Sequence, residues 1–328
     1  MEITPFGPDD EADCADWAAL CNAIAAHDAP WEQRQTAKLA SARFRHGWDG
    51  EPDAPFLCRV DGEAVGWAAV ATSDHDNLHA AWTRVQVHPD HRRRGIGTAL
   101  LDVVLEEVGR RGRTTVGGDA WAADSASAFT GRHGFEAKNA NVNRRQFLAD
   151  VDWPRLQQEY DAALAAAADY ELERWPAPTP EGRLDELAVM ASAINDAPRG
   201  DLDLEDEVFT ADRMRAYEGA QAGHDHRLYR VVVRHRPSGE LAGHTVVAVS
   251  ADDPAWGEQH DTSVVRAHRG HRLGLLLKAE LLHWLREVEP QLETVDTWNA
   301  ESNSHMIGVN ELLGYRVMGR EVSYQRKL

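Results

Sequence analysis

The sequence predicts a mixed α/β (α+β) fold that is built twice within one chain of 328 residues. Three observations predict it. Residues 85–100 read as a strand, a basic glycine turn and the first turn of a helix. The elements around that stretch follow the order β, α, α, β, β, β, α, β, α, β. The same order, with the same kind of turn, returns in the second half of the chain.

In the first half, residues 3–6 form a short strand. A helix over about 10–26 follows, with Ala15, Ala18, Ala19, Ile24 and two cysteines on its apolar side. A second helix covers 31–44. Residues 55–60 and 64–71 are strands joined by Asp61-Gly62, a type I′ hairpin signal. The strand over 80–87 feeds the basic turn. There Val85 and Val87 alternate as strand residues do, and Pro89 stops the strand. Gly95 and Gly97 let the backbone turn. Ile96, Ala99, Leu100, Val103, Val104 and Val108 then fall at helical spacing. A helix opening in a basic glycine loop is an anion site, because its free N–H groups and its dipole favour negative charge. A Rossmann turn is excluded, since Leu100 stands at the third glycine, and a Walker loop is excluded for lack of Gly-Lys-Ser/Thr. A strand over 114–120, a short helix from 124 or 125, and a strand over 141–148 complete this half.

Pro154 opens a helix that connects the halves. A short strand at 170–175 follows, then helices near 181–195 and 211–222, and strands at 226–236, 240–250 and 258–265. The second turn is Arg269-Gly270-His271-Arg272-Leu273-Gly274, followed by a helix to about 288, a strand at 294–298, a helix at 303–313 and a last strand at 322–325. Arg92 and Arg269 lie 177 residues apart, and Gly134 and Gly314 lie 180 apart. Two features keeping register over that length are an internal repeat.

Arg92, Gly95 and Gly97, after a strand ending Val-Gln-Val-His-Pro, fit the pattern Arg/Gln-x-x-Gly-x-Gly/Ala. In this the chain resembles the GNAT (Gcn5-related N-acetyltransferase) superfamily, and in its repeat the tandem GNAT proteins of actinobacterial type. The resemblance covers nearly the whole chain. It implies an N-terminal GNAT domain over 1–150, a connecting helix over 151–168 and a C-terminal GNAT domain over 169–328, each a mixed, splayed sheet flanked by helices. It also implies an acetyl-CoA-dependent N-acyltransferase that moves acetyl to an amine by direct attack on the thioester.

That chemistry needs four parts. The pyrophosphate needs backbone donors, which the resemblance assigns to Arg92, Arg93, Arg94, Gly95, Ile96, Gly97 and Thr98, with arginine side chains near the adenosine phosphates. In the second domain the places are Arg269, Gly270, His271, Arg272, Leu273 and Gly274. Arg272 stands where the family has its first glycine, so its side chain either crowds the pyrophosphate or pairs with it. On this reading the first loop is the surer site. The pantetheine arm needs a strand that bulges and splays, which places Val85 and Val87 beside it, and Thr262 and Val264 by the same spacing. Asn303 matches a family asparagine near the arm, whereas Ala123 does not. The general base is Asp119 or His79 in the first domain and Glu258, His260 or Asp261 in the second. The second group also fits the solvated side of a strand. The family's acid tyrosine is missing from both domains, where Thr130 and Asn310 stand. Tyr315, His305 or water are the substitutes. Catalysis leans slightly toward the second domain.

The formal net charge of −19 argues against nucleic acid as a partner. It suits a cationic small-molecule amine as acceptor, and equally a solubility surface. No apolar run reaches membrane-spanning length and residues 1–5 lack the regions of a signal peptide, so a cytoplasmic protein without membrane attachment is expected. Cys14, Cys21 and Cys58 read as buried free thiols. Asp74-His75-Asp76 with His79, and His224-Asp225-His226, have metal-like spacing but no complete ligand set, so no metal is expected. The competing function is a non-catalytic acyl-CoA-binding sensor or scaffold with degenerate sites.

Overall fold

The computed structural model describes all 328 residues. In chain order its first elements are β1 (Glu2–Pro5), α1 (Glu11–Asp28), α2 (Ala37–His46), β2 (Ala54–Val60), β3 (Glu63–Ala71), β4 (Ala80–Val87), α3 (Ile96–Arg110), β5 (Thr115–Trp121), α4 (Asp124–Arg132) and β6 (Glu136–Phe147). Next come α5 (Trp153–Ala166), β7 (Tyr170–Pro176), α6 (Leu184–Ala191), α7 (Ala211–Gly223), β8 (His226–His235) and β9 (Leu241–Ser250). The last are β10 (Trp256–Val264), α8 (Leu273–Val288), β11 (Thr294–Ala300), α9 (Ser304–Leu312) and β12 (Arg316–Lys327). No helix is long and apolar enough to cross a membrane.

The chain forms two compact units that interleave in sequence. Unit one holds Met1–Asn141, Arg199–Asp206 and Gly319–Leu328, and unit two holds Val142–Pro198 and Glu207–Met318. The sequence reading places its boundaries near 150 and 169. It differs because β6 and β12 are each 12 residues long, whereas alternation marks only 141–148 and 322–325. Their polar first halves hide the strand. β6 therefore leaves unit one in mid-strand, and β12 enters it in mid-strand.

In unit one β1 to β4 pair antiparallel in order, β4 pairs parallel with β5, and β12 closes antiparallel on β5. On one face α3 buries Ile96, Leu100, Val104 and Val108 against Val65, Ala68, Val70 and Val116. Gly66 lets α3 approach, because a Cβ there would lie 2.9 Å from Leu100 Cδ1. On the other face α1 buries Cys14, Trp17, Cys21 and Ile24 against Phe44 and Trp67. Ala15 and Ala19 are exposed. The apolar side of α1 is set by its large residues, and burying Trp17 removes far more apolar surface than burying alanine. Residues 31–36 are not helical, and Thr36 caps α2 by accepting from Leu39 N–H.

In unit two β7 to β10 pair antiparallel in order and β10 pairs parallel with β11. The leucines of α8 pack on Val231, Val233, Val247 and Val249, while α6 and α7 cover the other face through Leu184, Leu187, Met214 and Tyr217.

The parallel pairing that positions each site is short. β4 and β5 pair only over Ala80–Trp82 with Thr115–Gly117, and β10 and β11 only over Trp256–Glu258 with Thr294–Asp296. Beyond these forks the strands diverge. β10 also carries a register shift between Gln259 and Thr262, while β4 runs against β3 without one. The bulge expected in both strands is therefore present only in the second. At the first fork Thr83 Oγ1 bonds the Gly117 carbonyl at 2.9 Å, so a side chain replaces the ladder.

Candidate active site

Each glycine turn delivers a helix N-terminus with no side-chain cap, at Gly95 for α3 and at Arg272 for α8. The first N–H groups of both helices are thus left for another partner. The two turns share a backbone. Positive φ falls at Arg93 (65°) and Gly95 (84°) in the first, and at Gly270 (88°) and Arg272 (57°) in the second. In the first turn Arg93 and Arg94 are exposed, and Arg94 bonds the Asp90 carbonyl at 2.8 Å. Arg92 is engaged within the protein: its Nε donates to the Val87 carbonyl at 3.1 Å and its two Nη atoms hold the Asp28 carboxylate. Arg269 repeats this, with Nε on the Val264 carbonyl at 3.1 Å and Nη2 on Asp196 at 2.7 Å. One acceptor site on each of the Val87 and Val264 carbonyls is therefore already used. Arg272 is drawn to α5, where it pairs with Glu159 at 2.6 Å.

A cleft of about 500 Å³ opens in unit two along the second turn. Thr262, Val264, Arg269, Gly270, Arg272, Leu273, Gly274 and Asn303 line it, together with His305 and a wall formed by residues 193–198. His271 is exposed and is not among the lining residues. Gly274 matters here because a Cβ at that position would meet nothing within 4 Å. Asn303 also caps α9 by accepting from Met306 N–H at 3.2 Å.

The face of unit two turned toward α7 is polar at its fork. Glu258 is in register with Ala248, which packs with Tyr217 of α7. Residues directly opposite in an antiparallel pair share a face. The bulge then brings His260 and Asp261 into the same group, since two residues there oppose one. His260 Nδ1 and Tyr217 Oη lie 2.6 Å apart, and His260 Nε2 is 3.9 Å from Glu258. Glu258 is surrounded by protein while 31% of its side-chain surface stays open. Burial, with the Asp296 carboxylate opposite, pushes it up to about 7. Asp296 itself is held by Arg145 through two contacts of 2.5 and 2.8 Å. Burial pushes His260 down to about 3, helped by His226 and Arg230, so it is neutral at physiological pH. Burial raises Asp261 against the pull of Arg230. His244 is buried on β9, and both its ring nitrogens lack a hydrogen-bond partner.

The missing acid is not replaced in the simple way. Asn310 is fully buried, accepts from Lys278 Nζ at 2.7 Å and donates to Asn299 at 2.5 Å. Tyr315 is buried, with Lys278 Nζ 4.6 Å from its ring centroid. Burial lowers Lys278 to about 7.

In unit one the face toward α1 carries Trp82, Arg84 and Asp119. Arg84 is in register with Ala69 of the α1 core, and Trp82 with Gly117. Val85 and Val87 lie on the other side and pack with α3. Asp119 accepts from Trp82 Nε1 at 2.7 Å and from Ser323 Oγ at 2.6 Å. Glu321, two residues before Ser323 on β12, pairs in register with Trp121. Burial pushes Glu321 up to about 7 against the pull of Arg84, with Asp119 and Glu32 adding to the rise. Sequence reasoning missed Glu321, because 202 residues separate it from Asp119. It missed Tyr217 for the same reason. His79 is at the closed end of the fork, where Thr114 and Thr115 N–H groups bond its carbonyl, so the opening is not its place. Thr130 spends its hydroxyl on the Ala126 and Ser127 carbonyls of its own helix. No group of three or more His, Cys, Asp or Glu side chains converges as a metal site.

Comparison with known proteins accords with this geometry. The model of the acetyltransferase (GNAT) family matches residues 17–135 and 184–315. The chain is 27% identical to a mycothiol acetyltransferase of Parafrankia sp. strain EAN1pec, over 96% of each chain. It is 27% identical to another from Nocardia farcinica, over 84% of each. Among solved structures it is similar to a tandem GNAT protein from the clavulanic acid biosynthesis pathway, with a TM-score of 0.80 and 27% identity over 99% of this chain and 98% of that one. A GNAT protein of Sphaerobacter thermophilus shares the fold at a TM-score of 0.70 and 20% identity, over 99% of this chain and 95% of that one. Two strand forks, two uncapped helix starts and two family matches agree: the chain is an acyltransferase with two GNAT domains and belongs to the GNAT acetyltransferase family.

Proposed function

We propose that the protein transfers an acetyl group from acetyl-CoA to the amine of a small molecule, with the chemistry in unit two. Glu258 carries the reading. It sits at the fork of β10 and β11 with a pKa raised to about 7, which suits a general base at neutral pH. The N–H groups at the start of α8 suit the pyrophosphate, and the cleft of about 500 Å³ beside them, which Thr262 and Val264 of β10 line and Glu258 does not, has room for the pantetheine arm. Acetyl-CoA supplies an activated carbonyl on a good leaving group. Glu258 takes the ammonium proton, the freed amine nitrogen bonds to that carbonyl carbon, the carbon–sulfur bond breaks to release the thiolate, and the second proton on nitrogen passes to water. Neutral His260, held by Tyr217, brings no positive charge that would pull the Glu258 carboxyl down. The buried states of Asn310 and Tyr315 argue against either as the acid, and the thiolate departs without one.

The acceptor is a small amine, and the acidic recess favours a cationic one. The mycothiol acetyltransferases are similar along the chain, but the acid tyrosine expected at Asn310 is absent, so their acceptor is not carried over. One observation favours chemistry in unit one instead: Glu321 has the same raised pKa and lies beside Asp119.

The test is thiol release from acetyl-CoA across a panel of small amines, for the wild-type chain and for Glu258→Gln and Glu321→Gln. Loss only in Glu258→Gln supports unit two, and loss only in Glu321→Gln moves the chemistry to unit one. Acetyl-CoA binding without release for any amine would replace the enzyme reading with the acyl-CoA-binding module.

A further inference from the structure

We infer that the leading arginine of each turn, Arg92 and Arg269, is a positioning residue that clamps the turn to a carboxylate at the end of α1 or just after α6, and is not a phosphate ligand. The inference rests on the reading of these turns as acetyl-CoA sites. It concerns how they are held.

A guanidinium that is to meet a phosphate needs free donors and an uncompensated charge. Arg92 has its charge paired and three of its five N–H donors spent. Its Nε–H is spent on the carbonyl that ends β4, at 3.1 Å, and both Nη atoms face the Asp28 carboxylate. Arg269 is bound to the same two kinds of group through fewer contacts, with Nε on the carbonyl that ends β10 at 3.1 Å and one Nη on Asp196 at 2.7 Å. Asp196 also accepts from Arg266. The two turns differ at most other positions, and the two carboxylates come from unlike elements. Asp28 is the last residue of α1, whereas Asp196 ends a 3-10 turn after α6. That both copies reach the same contact points to a requirement of the turn.

The requirement is geometric. The planar fork joins three segments at once: the end of the feeding strand, the turn and the segment between the unit's helices. In unit two that segment, residues 193–198, is one wall of the cleft, and Asp196 and Arg269 both line it. In unit one the corresponding segment begins just after Asp28 and carries Trp31 and Glu32. The clamp thereby fixes the distance between the turn and that segment. Phosphate binding is left to backbone N–H groups and to the exposed Arg93 and Arg94 in unit one. The Arg92–Asp28 pair has both side chains less than a third exposed, while Arg269 is 45% and Arg266 77% exposed. Salt therefore loosens the second clamp more than the first.

Asp28→Asn and Asp196→Asn decide the matter, with acetyl-CoA titrated calorimetrically into the full chain. If the arginine were a phosphate ligand, removing its carboxylate would free it, and binding would tighten or stay unchanged. A clamp predicts the opposite, a loss on the order of tenfold in affinity at the affected turn. It also predicts that KM for acetyl-CoA rises while kcat at saturation is kept. Arg92→Lys and Arg269→Lys keep the charge but lose the fork, and each should weaken its turn about as much as the matching asparagine variant. Combining the two changes at one turn should add little. Thermal melting checks the fold, and if one unit fails to fold the variants of the other carry the test. Tighter or unchanged binding in both asparagine variants overturns the clamp alone. A wild-type chain that binds no acetyl-CoA overturns the clamp and the functional reading together.

Discussion

The two glycine turns solve one backbone problem with different residues. Both need positive φ at their second and fourth positions. The first turn uses Arg93 and Gly95 there, and the second uses Gly270 and Arg272. Each copy thus places glycine at the position where the other tolerates arginine. Only the backbone path is common, and that suits a site that presents N–H groups. The forks differ more. Unit two brings Glu258, His260 and Asp261 together through a bulge that unit one lacks, while unit one takes its raised carboxylate, Glu321, from the end of the chain. The same fold has kept the loop and varied the chemistry beside it.

The largest expected effect tests which fork is used. Glu258→Gln should lower kcat by a factor on the order of 10² to 10⁴, the usual worth of a general base. Wild-type kcat/KM should rise as pH passes through about 7, because the carboxylate must be ionised to accept a proton. Glu321→Gln should leave both unchanged within a few-fold. The reverse pattern, read from the same pH profiles, would break the comparison.

Next in size is the loop itself. Gly274→Trp puts an indole into open cleft space and should abolish acetyl-CoA binding to unit two. Gly97→Trp should do so in unit one, where even a Cβ would lie 3.3 Å from the Phe129 ring. Calorimetric stoichiometry reads both. Full binding by Gly274→Trp would remove the second turn from the reading.

How much of this was legible in the sequence follows from range. The turns, the strands feeding them and α3 and α8 could be read directly, because glycine, proline and apolar spacing act within a few residues. Glu258, His260 and Asp261 were legible as a group because one strand carries them. Asp28, Asp196, Tyr217 and Glu321 were not. Each reaches its partner through the tertiary fold, and local spacing holds no trace of such a contact. Arg92 shows the limit in the other direction. The pattern around it pointed to the turn, but its chemistry suggested a phosphate ligand, and only its partners reveal a strut. The long β6 and β12 were half visible for a similar reason, since polar strand residues show no alternation.

A smaller effect should appear in stability. Glu258 is held near 7, above an ordinary carboxylate, so the folded state keeps a proton that the unfolded chain releases near 4.5. Its favourable contribution is complete below the ordinary value and is lost as pH rises through about 7. Above that, the buried charge is a cost. Glu258→Gln removes it, and should make the protein more stable than wild type at pH 8 by about 1–2 kcal/mol, allowing for the solvent that reaches the side chain. The gap should close toward pH 4.5. Denaturant melts at the two pH values check the sign, and a constant gap would mean that Glu258 is not the titrating group.

The smallest effect returns to the two turns. Arg272 holds φ of 57°, where a Cβ costs about 1 kcal/mol relative to glycine. Its ion pair with Glu159 is partly exposed and is worth about 0.5 kcal/mol. With that cost of about 1 kcal/mol taken as already net of the extra freedom of glycine in the unfolded chain, Arg272→Gly should therefore stabilise unit two by roughly 0.5 kcal/mol. Gly95→Ala, at φ of 84°, should destabilise unit one by about 1 kcal/mol, although nothing lies within 4 Å of the added Cβ. The two changes thus have opposite signs at one structural position; the Cβ added by Gly95→Ala meets no neighbour, and Arg272→Gly gives up only the pair with Glu159. Thermal melts of the pair isolate the backbone term. Equal signs would mean that the turns do not share a backbone demand, and that the arginine at the second turn was placed there for its side chain.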